Sequence, residues 1–364
     1  MKKISLILTV LLTIIIFSLS STLVSGCKNS TPKQLDVYVW EGYVPESVAA
    51  LFEQETGIKL NINFIDQTST VIAFLEGGGK ADIVMPTQSL VYRFYEGNLA
   101  QPLDLKRIKN YENVSKSFME KSWTKWDGKK MGSGEIYVIP YVYGTSGLVV
   151  NTSKYTKSLD NIGWDVLFDT DLKGRVTSKN DNESVLLILD MLSIPREDLI
   201  TDPQGTLDKI MDKAIELKNN VLKFYASGAE VIDLMKNEEV WVSNIWDGGG
   251  RQLEQFDAKF KYVLPKEGGM AWTDTFMIPT VAENPDGANL FIDFMLRPDI
   301  AAKVIEQSGY TTTVEGALDM TESIDKELYR LTEDEMANLN WSPNWSKEVI
   351  AIFTTFWEVL STLE

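Results

Sequence analysis

The 364-residue chain carries 52 acidic against 35 basic side chains, a formal charge of −17, with no histidine and a single cysteine. Ser-His-Asp and Cys-His catalysis and histidine-ligated zinc or iron are thereby excluded, no intrachain disulfide can form, and no cofactor is expected. The acidity disfavours nucleic acid and suits cationic partners or plain solubility; ten tryptophans and thirteen tyrosines suit sugar stacking or cation binding.

Lys2 and Lys3 precede a run with no charge from residue 4 to 26, the n- and h-regions of an export signal. The run is nearly long enough to span a bilayer. Leu23-Val24-Ser25-Gly26-Cys27, however, is a lipobox, which predicts cleavage after residue 26 and a lipid on Cys27. Acyl chains contribute about 0.8 kcal/mol per buried methylene, so several of them anchor durably. The polar, proline-containing stretch 28–34 then reads as a tether, giving a signal peptide at 1–26 and a lipidated tether at 27–34. Losing 1–26 removes two lysines and no acid, which moves the charge to about −19 and leaves about 338 residues, enough for two domains.

The body opens with the alternating strand 35–40. Pro45 starts a helix over 46–56 with Val48, Leu51 and Phe52 on one face and Gly57 as its stop. Strand 59–65, helix 71–76 and the apolar strand 81–85 follow, a βαβ grammar that implies a parallel sheet covered by helices. The same grammar returns with strands at 145–151, 174–177 and 240–245 and helices at 184–192 and 206–218. The expected class is α/β in two lobes.

Aromatic and acidic residues gather beside glycine or proline at the ends of these strands, where open α/β sheets bind ligands. The sets are Trp40-Glu41-Gly42-Tyr43, Pro86-Thr87, Trp246-Asp247 followed by Gly248, Gly249 and Gly250, Trp272-Thr273-Asp274, and Gly309-Tyr310. The three consecutive glycines are expected to let a ligand approach the backbone. Any one tryptophan is as well explained by packing, Asp274 by strand-end capping and Glu183 by a helix's first turn. Taken together, the sets suit a polyamine: carboxylates for its ammonium groups and aromatic faces for its methylenes, at about 0.5–2 kcal/mol per cation–π contact.

The stretches VYVWEGYVPESVAALFEQETGIKL (37–60), ADIVMPT (81–87), IPYVYGTSGLVVN (139–151), PKEGGMAWTDTFMIP (265–279) and FIDFMLRPDIAAKVIEQSGYTT (291–312) resemble the periplasmic spermidine/putrescine-binding proteins of bacterial ABC importers. The resemblance runs from about residue 35 to the C-terminus. It implies a two-lobed periplasmic-binding-protein fold of type II-like form, with ligand in the cleft between the lobes and hinge closure around it. It further implies a first lobe of 35–142 plus 275–315 and a second of 143–274 plus 316–364, with hinges near 141–144, near 272–275 and after Tyr310.

By the same resemblance Trp40, Tyr43, Trp246, Trp272 and Tyr310 form an aromatic box, Asp274 is the central carboxylate and Glu183 an acid on the other lobe. Thr87 stands where a serine is usual. Glu41 replaces a small hydroxyl residue, Gly42 an acid, Ser89 an aromatic and Ser346 a glutamine. Asn180 falls at an aspartate position, with Asp181 adjacent. The implied function is capture of a polyamine, spermidine or putrescine, and delivery to an ABC permease by a monomeric, exported lipoprotein that touches the membrane only through Cys27. Other readings are a binder of another cationic metabolite or a sugar, a lipoprotein sensor or adhesin, and a glycan hydrolase using Asp274 and Glu183.

Overall fold

The structure, a computed structural model, describes residues 34–363; the expected signal peptide, Cys27 and the tether up to residue 33 lie outside the described residues. Strand β1 (Gln34–Val39) alternates, burying Leu35, Val37 and Val39 completely. Helix α1 (Glu46–Thr56) follows Pro45, buries Val48 and Phe52, and stops at Gly57, whose left-handed φ of 73° lets its N–H reach the Glu53 carbonyl at 2.8 Å. Strand β2 (Lys59–Phe64), helix α2 (Thr68–Glu76) and strand β3 (Ile83–Val84) complete the unit. β1 lies between β2 and β3, all parallel, with Val37 opposite both Ile62 and Ile83.

The long strand β4 (Val138–Asn151) follows; it starts well before the expected residue 145. A second parallel unit then comprises β5 (Val176–Lys179), α3 (Asn182–Met191), α4 (Pro203–Asn220), β6 (Val221–Tyr225), α5 (Gly228–Lys236), β7 (Val242–Trp246) and α6 (Asp247–Phe256). The chain returns through β8 (Phe260–Val263) and β9 (Met270–Pro279), then α7 (Pro285–Met295), α8 (Pro298–Ser308), β10 (Thr311–Thr312) and the terminal α9 (Lys347–Thr362).

Among the described residues one twelve-stranded sheet has the path β2-β1-β3-β9-β4-β7-β5-β6. Its two halves are parallel and its middle is antiparallel. β9 runs against β4 from Met270 opposite Ser146 to Met277 opposite Val138, with a register slip between Asp274 and Thr275. Each half has its own apolar core: Val37, Phe52, Phe276, Phe291 and Ile305 in the first lobe, Leu148, Trp164, Leu187, Ile210 and Phe353 in the second. β4 and β9 contribute to both, so they are the crossing strands of a two-lobed fold. Ala317 and Tyr329 pack in the first core and Trp345 in the second. Val314, Leu318 and Ile324 likewise pack with the first core.

Asp82 joins the first lobe's two chain segments. The residue is only 5% exposed, and its carboxylate accepts the N–H groups of Asp36 (2.9 Å), Glu283 (2.9 Å) and Asn284 (2.8 Å). Asp82→Ala strands buried donors in both segments, at about 1–3 kcal/mol for each left unpaired. Urea unfolding should show a loss of roughly 2–4 kcal/mol, and a loss below about 0.5 kcal/mol would mean that water replaces the carboxylate freely.

Candidate functional site

The middle of the sheet sets out the site. On β4, Gly144 lies opposite Trp272 of β9 and Ser146 lies opposite Trp246 of β7. Directly opposed residues share a face, and residues two apart on a strand share it too, so both tryptophans rise from the same side. A side chain at Gly144 would not fit: its Cβ would lie 2.5 Å from Trp272 Cζ2 and 2.6 Å from Asp247 Oδ1. Tyr310, just ahead of β10, sets its ring edge-on to Trp272 at 5.2 Å and to Tyr43 at 6.2 Å. Trp40, directly after β1, is held by its indole N–H on the Met85 carbonyl at 3.0 Å.

Two sequence expectations are corrected here. Trp272, Thr273 and Asp274 lie inside β9, not in a strand-end loop, since β9 continues to Pro279 as it crosses between lobes. The glycines 248–250 form the first turn of α6, not a ligand-facing loop. Each admits a neighbouring side chain: a Cβ on Gly248 would fall 2.5 Å from Tyr310 Cε1 and one on Gly249 2.8 Å from Ile245 Cδ1, while Gly250 packs on the Tyr262 ring.

Asp274 sits at the slip in β9, where the irregularity re-aims a side chain. It is 4% exposed and accepts the Tyr43 hydroxyl at 2.8 Å on Oδ2 and the Thr87 hydroxyl at 2.6 Å on Oδ1. Burial pushes its carboxyl up to about 7, against the pull of these two hydroxyls. Both donors are neutral. A buried carboxylate so placed gains most from a cation, which is the partner low dielectric rewards.

The other end lies on the second lobe. Glu183, in the first turn of α3, accepts the Trp246 indole N–H at 2.9 Å and the Ser146 hydroxyl at 3.2 Å, both on Oε1. Its Oε2 is shielded from solvent and has no partner among the described residues. Burial and, secondarily, the Asp181 charge push its carboxyl up to about 7, opposed by Lys179. Asp181 is the N-cap of α3, accepting the Glu183 N–H at 2.8 Å, and pairs with Lys179 at 3.2 Å.

The remaining expected residues are dispersed. Glu41 and Asn180 are exposed; Asn180 donates its backbone N–H to the Tyr225 carbonyl. Ser346 caps α9, its hydroxyl accepting the Val349 N–H at 3.3 Å, and Ser89 gives its carbonyl to the Trp345 N–H, a tie between the lobes. Gly144, Ser146 and Lys179 belong to the site without having been singled out in the sequence. Glycine within a β-branched strand is itself a mark of close approach. Among the described residues no cluster of three metal-ligating side chains forms.

Fold and site define a two-lobed binding protein whose cleft joins aromatic faces to desolvated carboxylates. Residues 47–330 match the family model for bacterial extracellular solute-binding proteins, and the chain belongs to that family, an exported one. The spermidine/putrescine-binding periplasmic protein 1 of Haemophilus influenzae is 26% identical over 320 residues, covering 86% of this chain and 84% of that protein. The spermidine/putrescine-binding periplasmic protein of Escherichia coli is 28% identical over 278 residues, 76% of either chain. A solved structure of the spermidine/putrescine ABC transporter substrate-binding protein of Streptococcus pneumoniae has a TM-score of 0.74 at 25% identity, covering 90% of this chain and 98% of that one.

Gly144→Ala should overpack the point where Trp272 and Asp247 meet. A loss of about 1–3 kcal/mol in chemical unfolding is expected, together with a change in near-ultraviolet circular dichroism. An unaltered spectrum and stability would show that the two strands separate easily at this point.

Proposed function

We propose that the protein captures an aliphatic polyamine in the cleft between its lobes and delivers it to an ABC permease as a monomer, held at the membrane by lipid on Cys27. The observation that carries this reading is Asp274, a carboxyl removed from water and met, among the described residues, by the neutral hydroxyls of Tyr43 and Thr87, beside Trp272 and Tyr310. An ammonium group supplies the missing charge and the aromatic faces cover the attached methylenes. Glu183 with Trp246 offers a second carboxylate on the opposite lobe, so an amine bridging the two draws the lobes together. The hinges of that closure are the segments 141–144 and 272–275 of the crossing strands, and the connection 330–344. The relatives named for spermidine and putrescine support the ligand class.

Calorimetry on the purified full-length protein in detergent tests the reading directly. Putrescine or spermidine should bind with micromolar or tighter affinity, which is roughly 8 kcal/mol, and glucose should not. No heat with either amine at millimolar concentration would overturn it. Asp274→Asn should weaken amine binding by about tenfold or more; equal affinity would move the central charge elsewhere.

The pH dependence follows from the two raised carboxyls. Each must be ionised to hold an ammonium, and aliphatic amines stay protonated well above neutral pH. Below about 7 the protonated carboxyls dominate, so affinity should rise with pH from 5 to 7, by up to roughly tenfold per unit for each group, and level off near pH 8. Binding at pH 7 should release protons, read as a dependence of heat on buffer ionisation enthalpy. Without ligand the sign is opposite. Both carboxyls lie above their unfolded values, so their contribution to stability falls as pH rises from about 4 to about 7. A flat affinity profile would show both acids ionised throughout.

A further inference from the structure

Lys179 occupies a place in the second-lobe end of the cleft that an ammonium ligand would itself suit. Its Nζ stands 4.0 Å from the centroid of the Trp246 ring, 6.0 Å from that of Tyr225, and 3.2 Å from Asp181 Oδ2. Only 13% of its side chain is exposed. The backbone beneath it is fixed on both sides: its N–H donates to Asn244 Oδ1 at 3.0 Å and its carbonyl accepts the Ser184 hydroxyl. An ordinary surface lysine keeps its ammonium in water; this one lays it on an aromatic face beside two acids.

The consequence is a changed charge count. Asp181 is paired with Lys179, and Asp247, buried beside Trp246, is paired with Arg251 at 2.8 Å. Among the described residues Asp274 and Glu183 remain as the desolvated carboxylates of the cleft without a direct cationic contact, and Glu183 Oε2 has no hydrogen-bond partner. Two such carboxylates match two ammonium groups. A third would need the face of Trp246 or the Asp181 carboxylate, and would meet the Lys179 charge there.

We infer that Lys179 is a specificity-determining residue, a tethered ammonium that fills one cation position of the cleft and thereby selects a short aliphatic diamine over a triamine. This rests on the polyamine reading above. A triamine displacing Lys179 must break the Asp181 pair and the contact with Trp246, whereas a diamine reaching from Asp274 to Glu183 leaves both in place.

The test is calorimetry with putrescine and spermidine on the full-length protein and on two variants. The unaltered protein should prefer putrescine by about tenfold or more. Lys179→Met, which keeps an unbranched apolar stem and removes the charge, should shift the affinity ratio toward spermidine by about tenfold or more. Lys179→Arg, which keeps the charge, should shift it far less, so a ratio that follows charge and not side-chain shape distinguishes selection from packing. A preference for spermidine in the unaltered protein, or the same ratio in the Met variant, overturns the inference while leaving amine binding intact. If neither amine binds the unaltered protein, the polyamine reading itself fails and the role of Lys179 fails with it. A thermal melt of each variant identifies any that do not fold; should Lys179→Met be one, Lys179→Gln, which removes the charge while keeping a polar head for Asp181, should give the same shift toward spermidine, and an unaltered ratio overturns the inference equally.

Discussion

The site depends on a carboxylate kept out of water without a charged partner of its own. Three buried aspartates show how differently the protein treats the same group. Asp82 is enclosed by backbone N–H groups from Asp36, Glu283 and Asn284 and joins chain segments. Asp247 faces Arg251, which also donates to the carbonyls of Leu328 and Gly309, so that pair ties the start of α6 to the turn carrying Tyr310. Asp274 receives two neutral hydroxyls. The first two are satisfied by the fold; the third is oriented by it and left short of charge, which is the condition under which binding a cation yields most free energy.

The topology makes that shortage useful. Asp274 and Trp272 lie on β9, while Trp246 lies on β7 and reaches Glu183; the connecting strand between the two is β4. Ser146 of β4 pairs with Trp246 through the sheet and donates to Glu183 through its side chain. Asp274 therefore lies on a strand that runs continuously from one core to the other, and Glu183, in the first turn of α3, is hydrogen-bonded to the second such strand through Ser146. A ligand bonded to both is attached to either side of the bend by a short, stiff path, and the cleft can close without rebuilding either half of the site.

How much of this is legible in the sequence depends on whether the signal is local. The unit β1-α1-β2-α2-β3 follows from alternation, from Pro45 and from Gly57, because each strand has one neighbourly environment and each helix one buried face. β9 does not read as a strand at its start, since Trp272, Thr273 and Asp274 pass between lobes where no simple inside and outside exist. The glycines of α6 read as a loop because helix propensity argues against them, and the packing of Tyr310, Ile245 and Tyr262 against their bare backbone overrides it. Tyr43, Thr87, Asp274, Trp272 and Tyr310 are visible as residue types in sequence and are joined only by the fold. Ser346 looks like a ligand group and serves as a helix cap, a role any serine before a helix can take.

Lys179 is the opposite case, a residue with no distinguishing mark in sequence. In the run Lys179-Asn180-Asp181-Asn182-Glu183 it reads as one charge among several at the end of a strand. Its direction is decided by β5 ending against β7, which puts Trp246 beside it, and by Asp181 turning back to cap α3, which draws the ammonium inward. The outcome is an ammonium between an aromatic face and two carboxyls, built from the protein's own chain. That arrangement uses the same interactions that are proposed for the ligand at Trp272 and Asp274, a cation on an aromatic face beside a carboxylate. The difference is the tether: Lys179 pays no translational entropy to sit there, so a free ammonium group competes for its place at a disadvantage, and the proposed ligand is left with Asp274 and Glu183.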